Sequence, residues 1–258
     1  MVKTSTSERS LYSPRNWPAD AFIWWRSLLV AVVLCVTLYV PVVALALVLF
    51  STGALNRQAL TAGAPFGWPL FWLQMFGYVL PTVVLLALLP VLARVPLGEL
   101  GLRRPRTTDL AWGLAGALAM VLAVSGTGAI EQAAFHIKAD ETQVQWLQTT
   151  RGPLLAALVF LACIAAPLFE EVLFRGFIFN ALLRYTPLWI AAIVSATTFG
   201  LAHGIGQPGN NGALAPLAAG GLVLALVYAY SRSLIASMVT HALFNAFTVV
   251  VVLTLHVT

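Results

Sequence analysis

Charge is what this chain has least of. Only 9% of its residues are Asp, Glu, Lys or Arg, against 60% hydrophobic. That balance excludes both an ordinary soluble domain and a disordered segment. Cysteine is almost missing too. Cys35 and Cys163 both fall in apolar stretches, so the sequence holds no disulfide framework and no Cys-rich metal motif, and each reads as a small buried hydrophobe. Acids are the scarcest of all in the C-terminal part: from Thr142 onward the carboxylate side chains are Glu170 and Glu171 alone. Any acid–base chemistry in that half rests on two adjacent residues. The net charge of +5 would suggest a nucleic-acid partner in a soluble protein. Here the basic residues sit in the N-terminal tail and in short connectors, which is the pattern of membrane orientation, and no nucleic acid is expected.

What the chain does have is long apolar runs. Seven of them read as membrane spans: Phe22–Phe50, Trp68–Ala93, Leu110–Ile130, Pro153–Leu183, Pro187–His203, Ala213–Tyr230 and Leu234–Leu255. The expected fold is all-α, a polytopic membrane helix bundle of seven or eight transmembrane helices around a polar intramembrane cavity. The long fourth run is where an eighth span would hide. The organisation expected is a polar cytoplasmic tail over 1–21, N-terminal spans with connectors over 22–152, and a membrane region over 153–258 that carries the chemistry, all in one integrated domain. Trp68 and Trp72 suit the membrane interface. The basic connector Arg94–Asp109 is expected at the cytoplasmic surface, and Glu131–Gly152 as a surface helix or rim. Gly113, Ala115, Gly116 and Ala119 offer a small-residue face for close helix packing. Gly204–Gly212 reads as a turn-forming loop that shapes or covers a cavity.

Against this background the polar residues inside the spans stand out. Glu170, Glu171 and Arg175 lie within six residues of the fourth run, and each charge at membrane depth costs roughly 2.5–3.5 kcal/mol or more. Glu171 and Arg175 are four apart and stack on one helical face as an ion pair. Glu170 points about 100° away, on a face with Cys163, Ala166, Phe174 and Phe177 and no basic partner. His203 closes the fifth run, and His241 and Asn245 share a face of the seventh. A carboxylate can take a proton from water, and a histidine beside it can share that proton. A second histidine and an amide can stabilise the oxyanion formed when the water attacks a carbonyl. That is the equipment of a hydrolase needing no Ser, Cys or Thr nucleophile.

Three motifs carry these residues in order: Glu170-Glu171-Val-Leu-Phe-Arg175, Phe199-Gly-Leu-Ala-His203 and His241-Ala-Leu-Phe-Asn245. They match EExxxR, FxxxH and HxxxN, and the chain thereby resembles the CPBP intramembrane glutamic endopeptidases, the CAAX prenyl protease or ABI family. The resemblance covers roughly residues 153–250. It implies that Glu170 and His203 activate water, that His241 and Asn245 form the oxyanion hole, and that Glu171, Arg175 and Phe199 support the site, with no cofactor and no metal. It implies a hydrophobic or lipidated peptide as substrate, of the prenylated CaaX kind or another, in contact with membrane lipids. The location it implies is an integral, multi-pass one, in a bacterial-type plasma membrane with the N-terminus cytoplasmic.

Other readings use the same residues. Glu170, His203 and His241 are a possible zinc set of two histidines and a glutamate, although zinc sites usually place two ligands close in sequence. A proton-coupled transporter would use them as a relay, yet needs no Asn245 one turn from His241, and no internal repeat supports it. A scaffold binding lipidated peptides is the third. Depth is a difficulty for all of them. At about 1.5 Å per residue, Glu170 and His203 lie about 21 and 24 Å from the inner boundary but His241 only about 10 Å, so helices must tilt or the seventh span must start early.

With seven spans, Lys3, Arg9, Arg15, Arg26, Arg94, Arg103, Arg104, Arg106, Arg184 and Arg232 fall inside and Arg57, Lys138 and Arg151 outside, ten against three. Single cysteines at Gly63 and Gln143 are therefore expected to react with an impermeant thiol reagent applied to sealed cells. Arg104→Cys is expected to stay unlabelled, and its labelling would reverse the orientation.

Overall fold

The computed structural model describes residues 21–55, 66–94, 96–136, 142–204 and 214–255. The expected tail, apart from Ala21, and the Gly204–Gly212 loop, apart from Gly204, lie outside the described residues. The rest is helical: α1 (Trp24–Ser51), α2 (Trp68–Ala93), α3 (Thr107–Phe135), α4 (Thr142–Thr149), α5 (Gly152–Leu183), α6 (Leu188–Gly204), α7 (Leu214–Ser231) and α8 (Leu234–Leu255). Pro69 and Pro153 sit in the first turns of α2 and α5, where the missing N–H has no partner to lose. Five helices, α2, α3, α5, α7 and α8, are long and apolar enough to cross a membrane. The apolar α1, 28 residues, and α6, 17 residues, complete the seven runs seen in the sequence. Leu118 and Leu122 on α3 and Val250 on α8 point outward, as they should where lipid is the solvent. The protein is an integral membrane helix bundle.

Helix α5 runs through the middle, against α2, α6, α7 and α8, while α3 closes one side against α7 and α8 and α1 leans on α2. Glycine permits the closest approach. A Cβ on Gly116 of α3 would fall 2.5 Å from Thr240 Oγ1 of α8, and one on Gly113 2.3 Å from Val239 Cγ1. Ala115 and Ala119, expected on the same packing face, instead point outward. Positions 113, 116 and 120 form one stripe at helical spacing and turn the alanines to lipid. The expected rim is also shortened, since α3 continues through Glu131 to Phe135 before α4 packs Leu147 into the bundle.

The connector between α2 and α3 keeps Arg94, Pro96, Gly98, Glu99 and Arg104–Arg106 exposed and buries one turn. Leu100 is 1% exposed, and its carbonyl accepts a hydrogen bond from the buried Tyr228 hydroxyl at 2.9 Å. The Gly101 carbonyl accepts from Leu234 N at 3.1 Å, which seats the first residue of α8 on the connector. Asp109 anchors the other end, taking both Arg103 guanidinium nitrogens at 2.8 and 2.9 Å and the Arg106 N–H at 2.7 Å. The depth difficulty is resolved here. Leu234 begins α8 inside the bundle, level with Gly176 of α5, whose Cβ would stand 3.6 Å from Leu234 Cδ1. Gly176 is seven residues above the end of α5, about 10 Å, which raises His241 to the level of Glu170.

Gly101 makes this seat possible. Its φ is +92°, and a Cβ there would lie 2.8 Å from the backbone N of Leu234. Gly101→Ala is expected to lose about 2–4 kcal/mol through combined strain and overlap. Gly53→Ala, at φ +73° with open space around it, is expected to lose only about 1 kcal/mol. Melting temperatures of the two purified variants, compared with the parent, check the difference.

Candidate active site

The site is built around the one buried ion pair of α5. Glu171 and Arg175 are both fully buried and meet at 3.0 Å, Arg175 Nη1 donating to Glu171 Oε1. Other helices take up much of their remaining hydrogen-bonding capacity, although Arg175 Nε is buried without a partner. Arg175 Nη2 donates to the Gly221 carbonyl of α7 at 2.7 Å, and the guanidinium lies 4.9 Å from the centre of the Phe199 ring of α6. From α8, Ser237 Oγ donates to Glu171 Oε2, and His241 Nδ1 lies 3.1 Å from Glu171 Oε1. Glu171 is thus shared by Arg175, Ser237 and His241, beyond the simple local neutralisation that its spacing predicts.

Glu170 faces the other way, toward the histidines. Its Oε2 lies 3.5 Å from His203 Nε2 and 3.8 Å from His241 Nε2, and that oxygen is buried without a hydrogen-bond partner. The far nitrogen of each ring is fixed by a group that only accepts. His203 Nδ1 is 2.8 Å from the Phe199 carbonyl, and His241 Nδ1 is on the Glu171 carboxylate. Both rings must therefore carry hydrogen on Nδ1, and when neutral both present an Nε2 lone pair toward Glu170. Phe199 holds the two rings in place, its centroid 4.5 Å from that of His203 and 5.7 Å, edge on, from that of His241. Among the described residues, no group of three or more His, Cys, Asp or Glu side chains is arranged to hold a metal ion.

Asn245 lies one turn beyond His241 on α8, as its spacing predicts, but it donates through Nδ2 to the Ala162 carbonyl at 2.7 Å. That carbonyl belongs to a stretch of α5, Leu161–Ala165, wound as π-helix, and a second such stretch covers Val172–Phe179. Glu170 and Glu171 sit on the short α-helical piece between them. The wider turns break the 3.6-residue register on both sides. The face predicted for Glu170 is partly dispersed as a result. Phe174 packs with Phe199 and Leu224, Phe177 with Leu85 and Leu89 of α2, and Cys163 against the Leu158–Leu161 cluster.

Glu170, Glu171, Arg175, Phe199, His203 and His241 are therefore neighbours in one cluster, with His203 half-buried, while Asn245, one turn from His241, bonds to Ala162. Sequence reading missed Ser237, whose signal was present: it lies four residues before His241 and extends that face by one turn. It also missed Asn180, whose amide is shared among the Arg175 and Gly176 carbonyls and Tyr228 Oη at 2.8–3.0 Å, and Ser195, which donates to the Phe174 carbonyl at 3.1 Å. The Gly221 carbonyl has no signature in a side-chain pattern.

The stretch that carries these residues resembles known proteins. Residues 152–247 match a family model described as "Type II CAAX prenyl endopeptidase Rce1-like". A Bacillus subtilis (strain 168) protein named "Putative membrane peptidase YdiL" is 27% identical over 144 residues, 55% of this chain and 56% of the relative. The chain thus spans little more than half of that relative's length. No solved structure matches it.

The ion pair gives a stability prediction. Arg175→Met leaves Glu171 buried without its cation, an expected loss of about 3–5 kcal/mol, or roughly 10 °C in melting temperature for a chain of this size. Glu171→Gln/Arg175→Met is expected to recover part of that loss, measured by thermal unfolding and folded yield in detergent.

Proposed function

We propose that this chain, whose residues 152–247 resemble the Rce1-like CAAX prenyl endopeptidases, hydrolyses peptide bonds within the membrane by direct attack of water. The observation that carries the proposal is Glu170 Oε2: buried, without a hydrogen bond, and faced by two imidazole Nε2 atoms at 3.5 and 3.8 Å. With the His203 ring neutral, its Nε2 lone pair and Glu170 Oε2 are two acceptors that the two hydrogens of one water can join, and the water oxygen is then the nucleophile.

In this reading Glu170 takes a proton from the water as its oxygen bonds to the peptide carbonyl, with His203 sharing the proton. The charge that develops on the carbonyl oxygen is met by the second amide hydrogen of Asn245 and by His241. His241 can donate from Nε2 only as imidazolium, because its Nδ1 hydrogen is held by Glu171. Glu171, Arg175, Phe199 and Ser237 support that ring. The tetrahedral intermediate then breaks at the C–N bond, Glu170 returning the proton to the leaving amine. The substrate class proposed is a hydrophobic or lipidated peptide, with CaaX-type prenylated sequences the first to try, and the N-terminus lies on the cytoplasmic side.

Glu170→Gln keeps the shape of the side chain while removing the base. Single-turnover cleavage of a prenylated peptide is expected to fall by roughly 10²-fold or more, with the variant as abundant and as thermally stable as the parent. Full activity in Glu170→Gln would overturn the proposal and favour a proton relay. One zinc per purified chain, with reversible loss of cleavage on chelation, would replace it with a zinc mechanism.

A further inference from the structure

The hydrogen bond from Asn245 to Ala162 has a cause four and five residues further along α5. In an α-helix the Ala162 carbonyl accepts from the N–H of residue 166, and in a π turn from that of residue 167. Here the Ala166 N–H is committed to the Leu161 carbonyl, and residue 167 is proline, which has no N–H. Both donors that α5 could offer are gone. The proline ring also crowds the carbonyl of residue 163, four back, and so favours the widened turn that precedes it. Within a membrane a bare carbonyl must find another donor, and Asn245 Nδ2 of α8 supplies it at 2.7 Å.

We propose that Pro167 is a positioning residue of the site: by stripping the Ala162 carbonyl of backbone donors it creates the acceptor that holds the Asn245 amide, one turn from His241 on α8. Pro167 touches no reacting atom and acts through Asn245. One amide hydrogen is spent on Ala162, and the carboxamide plane is thereby fixed with the other hydrogen free to point at a substrate carbonyl. The same proline opens the α-helical piece, Ala166–Glu171, that presents the two acids, so one residue sets both the base and the amide opposite it. The catalytic consequence rests on the water-attack reading above. The structural link does not.

Two measurements on the full chain separate these. The first is a thermal double-mutant cycle in detergent. Asn245→Ala in the parent leaves the Ala162 carbonyl bare and is expected to lower the melting temperature by about 3–8 °C. Pro167→Ala restores an N–H at residue 167, and in that background the same Asn245→Ala change is expected to cost under about 2 °C, as it is in Pro167→Ser. Equal losses in all backgrounds would overturn the proposal. The second is cleavage of the prenylated peptide. Pro167→Ala is expected to be at least as stable as the parent, a proline having left a helix interior, yet to turn over on the order of tenfold more slowly with KM within about twofold. A stable Pro167→Ala protein with unchanged turnover would refute the positioning role. If no variant and no parent cleaves any peptide, the protease reading fails while the thermal cycle still decides whether Pro167 positions Asn245.

Discussion

The Glu171–Arg175 pair is the constraint from which the arrangement of the C-terminal helices follows. Two opposite charges with no exposed surface each carry a desolvation cost of several kcal/mol, which their mutual attraction offsets only when the remaining donors and acceptors are also met. Most of these groups recruit another helix. Arg175 Nη2 draws on α7 through the Gly221 carbonyl, Glu171 draws on α8 through Ser237 and His241, and Phe199 of α6 presents its ring to the guanidinium. Glycine at 221 favours this closure, because a Cβ would stand 3.1 Å from Ala196 Cα and 3.2 Å from Phe199 Cδ1 and would push both back by a few tenths of an ångström. Small residues let α6 and α7 approach, and the approach brings a backbone carbonyl to the arginine.

The backbone of α5 follows the same logic. A membrane helix has to satisfy every N–H and C=O within itself or through a neighbour, and the two π stretches of α5 leave carbonyls that it cannot satisfy alone. Side chains from around it do so: Asn245 at Ala162, Ser195 at Phe174, and Asn180 at Arg175 and Gly176. The irregular helix and the polar side chains of α6 and α8 therefore explain one another. Widened turns at the centre of the bundle are tolerated because they are buried in protein rather than facing lipid.

Much of this was legible in the sequence, and the reasons differ residue by residue. The seven apolar runs agree with the helices to within a few residues, because length and hydropathy alone dictate a span. The Glu171–Arg175 pair was legible because four residues make one turn, and that geometry survives even where a π stretch begins at Val172. The grouping of Phe177 with Glu170 failed for the complementary reason: seven residues on, it extended a 3.6-residue period across turns that do not keep it. The depth of His241 was misjudged because residue counting assumes that every helix starts at the same plane. Only the glycine seat at Gly101 shows that α8 starts about two turns inside. Ser237 was overlooked since a serine in a membrane helix usually bonds its own backbone. Here its hydroxyl reaches across to Glu171, with the Leu224 carbonyl as a second acceptor at 3.2 Å.

The two adjacent acids differ most in what is left unmet. Glu171 has both oxygens engaged, by a guanidinium, an imidazole and a hydroxyl. Glu170, one residue away and nearly as buried, keeps an oxygen with no hydrogen bond. Arg175 Nε, Ser27 Oγ and Thr150 Oγ1 are also buried without a hydrogen bond, but Glu170 Oε2 is the one that faces two imidazole nitrogens, at 3.5 and 3.8 Å. The surrounding rings differ in exposure. The His203 side chain is 23% accessible, that of Glu170 9% and that of His241 4%. His203, at the C-terminal end of α6, is thus the more exposed of the two rings and His241 the more buried. The asymmetry between the neighbours is one of bonding and of surroundings: Glu171 is held by the packed interior, and Glu170 is flanked by the half-exposed ring.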